Sequence, residues 1–365
     1  MPPDPRRPVP RPAPLVRLWL VVAAFAAVTL VRSWQVDIPL RDPGGAVLTG
    51  RLALTAGLFL ALALVDGVRR TAGGERHRPA AVLRTIRRRW NRRRLLVAVA
   101  ALLAYHLVYF CYHNLKSWDV LNRPRDGMLL AWDRWLFLGR GPAVLLHDLL
   151  GQHLATYALV GVYESFSTIV SVSFVAAVVL VDDVRDGVTV IASLVFVWIL
   201  GVTSYYAIPS LGPFHSAPRE FAGLPHTMVQ DTQARYLAQR AHLLAHPHAP
   251  DAFAQVSAFA SLHVGVTTVL LLMARHLRMR WTARALTVFL AGTVVATIYL
   301  GWHFAVDDLA GLAIAALAVA LGVRLVGRRA GDQVPGRSGE PDWRSRQDPA
   351  EPAARVPDLA RGREE

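Results

Sequence analysis

The chain has 365 residues, 53% of them hydrophobic and 18% charged, with a formal net charge of +14 and a positive mean hydropathy. That balance excludes an ordinary soluble domain and places the chain among membrane proteins. Almost all the positive charge is arginine, Lys116 being the only lysine, and a lone cysteine, Cys111, excludes an internal disulfide.

The Pro/Arg-rich start, residues 1–14, is expected to be a disordered tail. No secretory signal peptide is expected, because the first apolar run lacks a small-residue cleavage site. A membrane-crossing helix needs about 20 apolar residues. Eight stretches approach that: Leu15–Val31, Leu52–Val68, Leu95–Tyr112, Thr156–Val181, Val188–Ile208, Ala258–Leu277, Ala285–Gly301 and Phe304–Val326. All are expected to be helical, since backbone polar groups in lipid must be satisfied within their own segment. The second is short and the last two nearly fuse, so counts of seven and nine stay open. The chain is therefore read as an all-α integral membrane protein with about eight transmembrane helices.

The connections carry the orientation. Arg69–Arg94, Arg275–Arg284, the N-terminal tail and the segment after the last span are rich in arginine. With eight spans, all four fall on one side, which the positive-inside rule makes cytoplasmic. Both termini are then cytoplasmic, in a multi-pass protein of the plasma membrane. Arg69–Arg94 is expected to be a solvated charged loop, and no nucleic-acid partner is expected. Opposite lie three longer segments. Within His113–Ala155, the run from Gly127 to Gly151 is amphipathic but too interrupted to span, as in an interfacial helix. Pro209–Ser257 reads as loose and solvated. Residues 327–365 read as a disordered cytoplasmic tail.

Two histidines stand at the outer rim. His263, in Ser261-Leu-His, opens the sixth span, and His303 lies between the seventh and eighth. Asp307 follows His303 by four residues, which on a helix puts carboxylate and imidazole on one face. A carboxylate on one ring nitrogen fixes the tautomer and frees the other nitrogen as nucleophile or base. Asp308 points about 100° away and is the weaker partner. Two histidines, one of them so partnered, suit covalent phosphoryl transfer. Cations and donors must then surround the equatorial oxygens. Lys116 and Arg123, in "KSWDVLNRP", and the Ser261 hydroxyl are the candidate phosphate-binding groups, although Ser261 serves equally as an N-cap. The rival reading of His303 and Asp307 as half a metal site lacks closely grouped ligands, so no metal and no cofactor are expected. Glu164, inside the fourth span, either lines a polar cavity or bonds to neighbouring hydroxyls.

Lys116-x6-Arg123-Pro124, Ser261-Leu-His263 and His303-x3-Asp307 together resemble the type 2 phosphatidic acid phosphatase superfamily. "YLGWHFAVD" and "YAIPSLGPF" are most similar to its inositol phosphorylceramide synthase-like (inositolphosphotransferase) branch. The resemblance spans residues 95–326. It implies a membrane-embedded domain with a six-helix phosphatase-like catalytic core, preceded by two additional transmembrane helices and a basic cytoplasmic loop over residues 15–94. It also implies a metal-independent enzyme working on a lipid phosphate or phosphodiester at the outer leaflet through a phosphohistidine. His303 would be the nucleophile, Asp307 its orienting partner and His263 the acid to the leaving group. Water or an alcohol such as inositol would be the acceptor. The phosphatase pattern has Ser-Arg where this chain has Ala296 and Thr297, a departure shared with the synthase-like branch. Lys116 and Arg123 also stand farther from His263 than is usual in the family. A non-catalytic transporter or scaffold that retained the fold is the alternative; it predicts polar or broken helices at mid-bilayer rather than chemistry at the rim.

Overall fold

A computed structural model describes residues 14–71, 73 and 78–327, and among them every regular element is helical. The tails expected to be disordered lie outside the described residues, except for Pro14 and Gly327 at their edges. Seven helices are long and apolar enough to cross a membrane. They are α1 (Pro14–Val36), α2 (Thr49–Arg70), α4 (Arg92–Asp119), α7 (Leu154–Val179), α8 (Val184–Ala207), α12 (Arg280–Tyr299) and α13 (Ala305–Val326). Between them lie α3 (Pro79–Arg89), α5 (Asp126–Leu136), α6 (Pro142–Leu150), α9 (Pro213–Ser216), α10 (Met228–Ala245) and α11 (Leu262–His276). The most buried of these seven, α8, packs against α13 and α4, while α11 packs against α12 and α13. The two N-terminal helices join the same bundle, α1 against α4 and α2 against α7.

The sixth predicted span is shorter than expected. It starts at Leu262 rather than Ala258 and holds 15 residues, about 22 Å of helix against a hydrocarbon core of about 30 Å. Three distant serines explain the late start. Ser117 Oγ accepts from Ala254 N–H at 3.0 Å, Ser210 Oγ from Phe259 N–H at 2.8 Å and Ser204 Oγ from Ala260 N–H at 2.9 Å. With the N–H groups of Ala254, Phe259 and Ala260 so engaged, the chain enters the helix only at Leu262. The start of α11 is thereby recessed into the bundle.

Arginines gather the opposite helix ends. Arg17 and Arg185 donate to the Val326 carbonyl at 3.4 and 2.9 Å. Asp66, near the end of α2, pairs with Arg70 at 2.8 Å and Arg89 at 2.6 Å, and Arg70 also reaches Asp182 at 2.5 Å. The Arg69–Arg94 segment is thus only partly a solvated loop. Residues 79–89 form α3, and the Arg89 side chain is 12% exposed, because the buried Asp66 carboxylate needs a partner. The interfacial stretch also differs from a single helix. It is two helices, α5 and α6, broken where Leu138 and Gly139 take positive φ. The loose segment expected before Ser257 contains α10, which opens on a capping box between Thr227 and Gln230.

Candidate active site

His263 sits in the first turn of α11, behind the Ser261 cap. His303 sits in the turn from α12 to α13. Gly311 makes their meeting possible: a β-carbon there would collide with the Ser261 carbonyl oxygen and stand 3.3 Å from Gly265 N. The two helices therefore touch through glycine backbone, a close approach typical of small residues in membrane bundles. Gly311→Ala is expected to wedge the helices apart, destabilising the fold by about 1–3 kcal/mol and cutting turnover. Thermal melting and activity of the purified variant check this.

The histidine rings face each other with His263 Nδ1 at 3.4 Å from His303 Nε2. On its far side His303 Nδ1 lies 3.4 Å from Asp307 Oδ2, which also accepts from Phe304 N–H at 3.0 Å. The i, i+4 relation expected of His303 and Asp307 is thus realised across the start of α13, with His303 ahead of it and Asp307 in its first turn. Asp308 points elsewhere, to the Thr297 hydroxyl at 3.1 Å. An imidazole that gives its Nδ1 proton to Asp307 presents a bare Nε2 lone pair toward His263. Tyr163 packs over His263 with ring centroids 4.6 Å apart, and Phe166 does so at 4.5 Å.

Helix α5 braces this arrangement with two carboxylates seven residues apart, on one face. Asp133 accepts from Ala305 N–H at 2.8 Å and Val306 N–H at 3.0 Å, capping α13 from outside. Asp126 accepts from Leu211 N–H at 2.9 Å and Gly212 N–H at 2.8 Å. Burial pushes both carboxyls above their usual range, and the backbone donors partly reverse this. Gly212 has φ +111°, and a β-carbon there would stand 2.7 Å from the Trp302 carbonyl, so the "YAIPSLGPF" loop lies directly against the residue before His303. Gln233 of α10 adds a bond to the Leu300 carbonyl at 2.9 Å.

Both histidines line a cavity of about 290 Å³ together with Lys116, and Glu164 lines it too. Lys116 reaches it from the last turn of α4, its ammonium 5.8 Å from the centre of the Tyr205 ring. The other two expected phosphate contacts are not among the lining residues. Arg123 lines a different depression with Asn122, Pro124, Arg125, Tyr206 and Pro209. Ser261 is fully buried and its hydroxyl accepts from Val264 N–H at 3.4 Å, as an N-cap does. Several lining residues are absent from the sequence reading: Arg51, His113, Arg235, Tyr236 and Gln255. The Thr227 capping box was the one local signal for α10, which carries Arg235 and Tyr236. His226 and His242 form pairs with Asp231 and Asp251 outside the cavity. Among the described residues no group of three or more His, Cys, Asp and Glu is placed to hold a metal ion.

The helical bundle thus brings Asp307, His303 and His263 into one line beside a cavity. The family model described as PAP2 superfamily matches residues 127–321, more than half of the chain, and the chain belongs to that superfamily. Its members are phosphatases or phosphoryl-transfer enzymes, and the membership points to a membrane lipid phosphatase-type function. The matched segment contains Ser261, His263, His303 and Asp307 and begins after Lys116 and Arg123. Comparison with curated proteins and with solved structures finds no match.

Proposed function

We propose that the protein transfers or hydrolyses the phosphoryl group of a lipid phosphate or phosphodiester at the outer leaflet, through a phosphohistidine. The observation that carries this reading is the line of groups Asp307, His303 and His263, facing a cavity that also holds the only lysine. In the first step His303 Nε2 attacks phosphorus, the N–P bond forms and the P–O bond to the lipid alcohol breaks. His263 gives its proton to the departing oxygen. In the second step water or an alcohol attacks phosphorus, His263 takes its proton, and the N–P bond breaks. The nitrogens now stand 3.4 Å apart, so the His263 ring must swing aside to admit phosphorus within about 3–3.5 Å of Nε2. Lys116 neutralises the equatorial oxygens. Of the three candidate phosphate contacts it is the one facing the cavity, and the proposal gives that role to it alone. An inositolphosphotransferase-like acceptor reaction is our finer reading. It rests on Thr297 in place of the phosphatase arginine and on the Tyr206–Phe214 loop packed against Trp302.

A turnover screen of the purified chain against lipid phosphates, diphosphates and phosphodiesters, with and without inositol, tests this. EDTA should leave turnover unchanged, because the nucleophile is a side chain; strict dependence on added Mg²⁺ or Zn²⁺ would contradict the mechanism. Absence of turnover on every substrate would favour a non-catalytic transporter or scaffold.

The proposed orientation places the arginine-gathered face in the cytoplasm and the histidines outside. Cys111 is buried and gives little background in a labelling experiment. Leu138→Cys, at a position 95% exposed beside the histidine face, should react with an impermeant thiol reagent in intact cells. Arg87→Cys on α3 should be protected until the cells are opened. The reverse pattern would invert the topology.

A further inference from the structure

The cavity has a second polar end that the chemistry at His303 leaves unused. Arg51 stands in the first turn of α2, outside the matched segment 127–321. Its guanidinium lies 5.3 Å from the centre of the Tyr109 ring and lines the cavity. None of the ion pairs among the described residues includes Arg51. A cation–π contact uses the face of the guanidinium and leaves its N–H donors open. His113 lines the same cavity, packs edge-on to Tyr109 with centroids 4.4 Å apart, and its buried Nδ1 has no hydrogen-bond partner.

Tyr109, His113 and Lys116 follow one another at i, i+4 and i+7, one face of α4. That face leads from Arg51 at one end to Lys116 at the other. Seven residues of helix put Lys116 about 10 Å along α4 from Tyr109, against which Arg51 packs. Arg51 stands at the end of α2 and faces the cavity; Glu164 lines the same cavity but forms no ion pair with it, and an ionisable group so placed marks a ligand path. With Arg51 held against Tyr109 and Lys116 turned to Tyr205, the two cations serve different ends of the cavity.

We propose that Arg51 and His113 form a second oxyanion subsite, which holds a phosphate or carboxylate of the substrate other than the phosphoryl group being transferred. The substrate class is then a lipid phosphate with a second, separated anionic group. This rests on the reading that Lys116 and His303 receive the transferred group.

The test uses the full chain in detergent and needs no turnover. Trp198 and Trp302 line the cavity, so tryptophan fluorescence reports occupancy. The probes are methyl phosphate, ethanediol bisphosphate and hexanediol bisphosphate. The long bisphosphate should bind at least about tenfold tighter than methyl phosphate, through an added pair of charge-assisted bonds. Arg51→Ala should remove that advantage while leaving methyl phosphate and the short bisphosphate unchanged. Arg51→Lys, which keeps the charge and the fold, should retain part of it. Equal loss for all three probes in Arg51→Ala, or no advantage of the long probe in the unaltered chain, would overturn the subsite. Methyl phosphate binding unaffected by Lys116→Ala would count instead against the transfer site, and the bisphosphate comparison would still judge the subsite.

Discussion

His303→Ala is expected to abolish turnover altogether, whereas His263→Ala should slow it by about 10²–10⁴-fold, the usual worth of general acid catalysis. The asymmetry follows from the geometry. His303 has a carboxylate behind it, with Asp307 Oδ2 3.4 Å from Nδ1, so its Nε2 is the better nucleophile. His263 is instead bounded by the rings of Tyr163 and Phe166 and has no carboxylate partner among the described side chains. A group that only donates a proton matters less when the leaving oxygen is already stable as an anion. The His263→Ala deficit should therefore shrink with an aryl phosphate substrate. The His303→Ala deficit should not shrink. Steady-state rates on alkyl and aryl phosphates decide this. An undiminished His263→Ala deficit on the aryl substrate would remove the acid role.

Asp307→Asn carries the second large effect. The carboxylate oxygen that faces His303 also accepts from Phe304 N–H at 3.0 Å, and an amide oxygen can keep that backbone bond. With its oxygen there, the amide carries no charge to stabilise the ring as it turns cationic in the attack; turned round, its N–H₂ meets Phe304 N–H and leaves Nδ1 bare. A loss on the order of 10⁴-fold is expected, as in other carboxylate–histidine pairs, with melting nearly unchanged. A loss below about tenfold would mean that Asp307 serves the fold and not the imidazole.

Much of this site was legible in the sequence because its parts are local. His303 and Asp307 sit four residues apart, and Ser261-Leu-His marks a helix start that the structure places at Leu262. The apolar runs gave the helices, and the arginine-rich connections gave the common face on which Arg17, Arg70, Arg89 and Arg185 tie helix ends together. What was not legible depends on packing. The length of α11 is set by Ser117, Ser204 and Ser210, which lie 49 to 137 residues from the N–H groups they bind, so no window around Ala258 reveals it. Arg51 enters the cavity only because α2 lies against α7. Arg123 sits near Lys116 in sequence, yet it follows the end of α4 and lines another depression. Asp133 lies in the amphipathic stretch and Asp126 just before it, and their acceptor role appears only once α13 and the Leu211–Gly212 turn are beside them.

Trapping of the purified enzyme in alkaline detergent with substrate labelled in the phosphoryl group, followed by mapping of the label, tests the central claim most directly. The account predicts an acid-labile, alkali-stable phosphate on His303 in the unaltered chain. It predicts that the label persists on His303 in His263→Ala, given a good leaving group, and is missing in His303→Ala. Label on His263, or full single turnover with no labelled protein at any time, would contradict it.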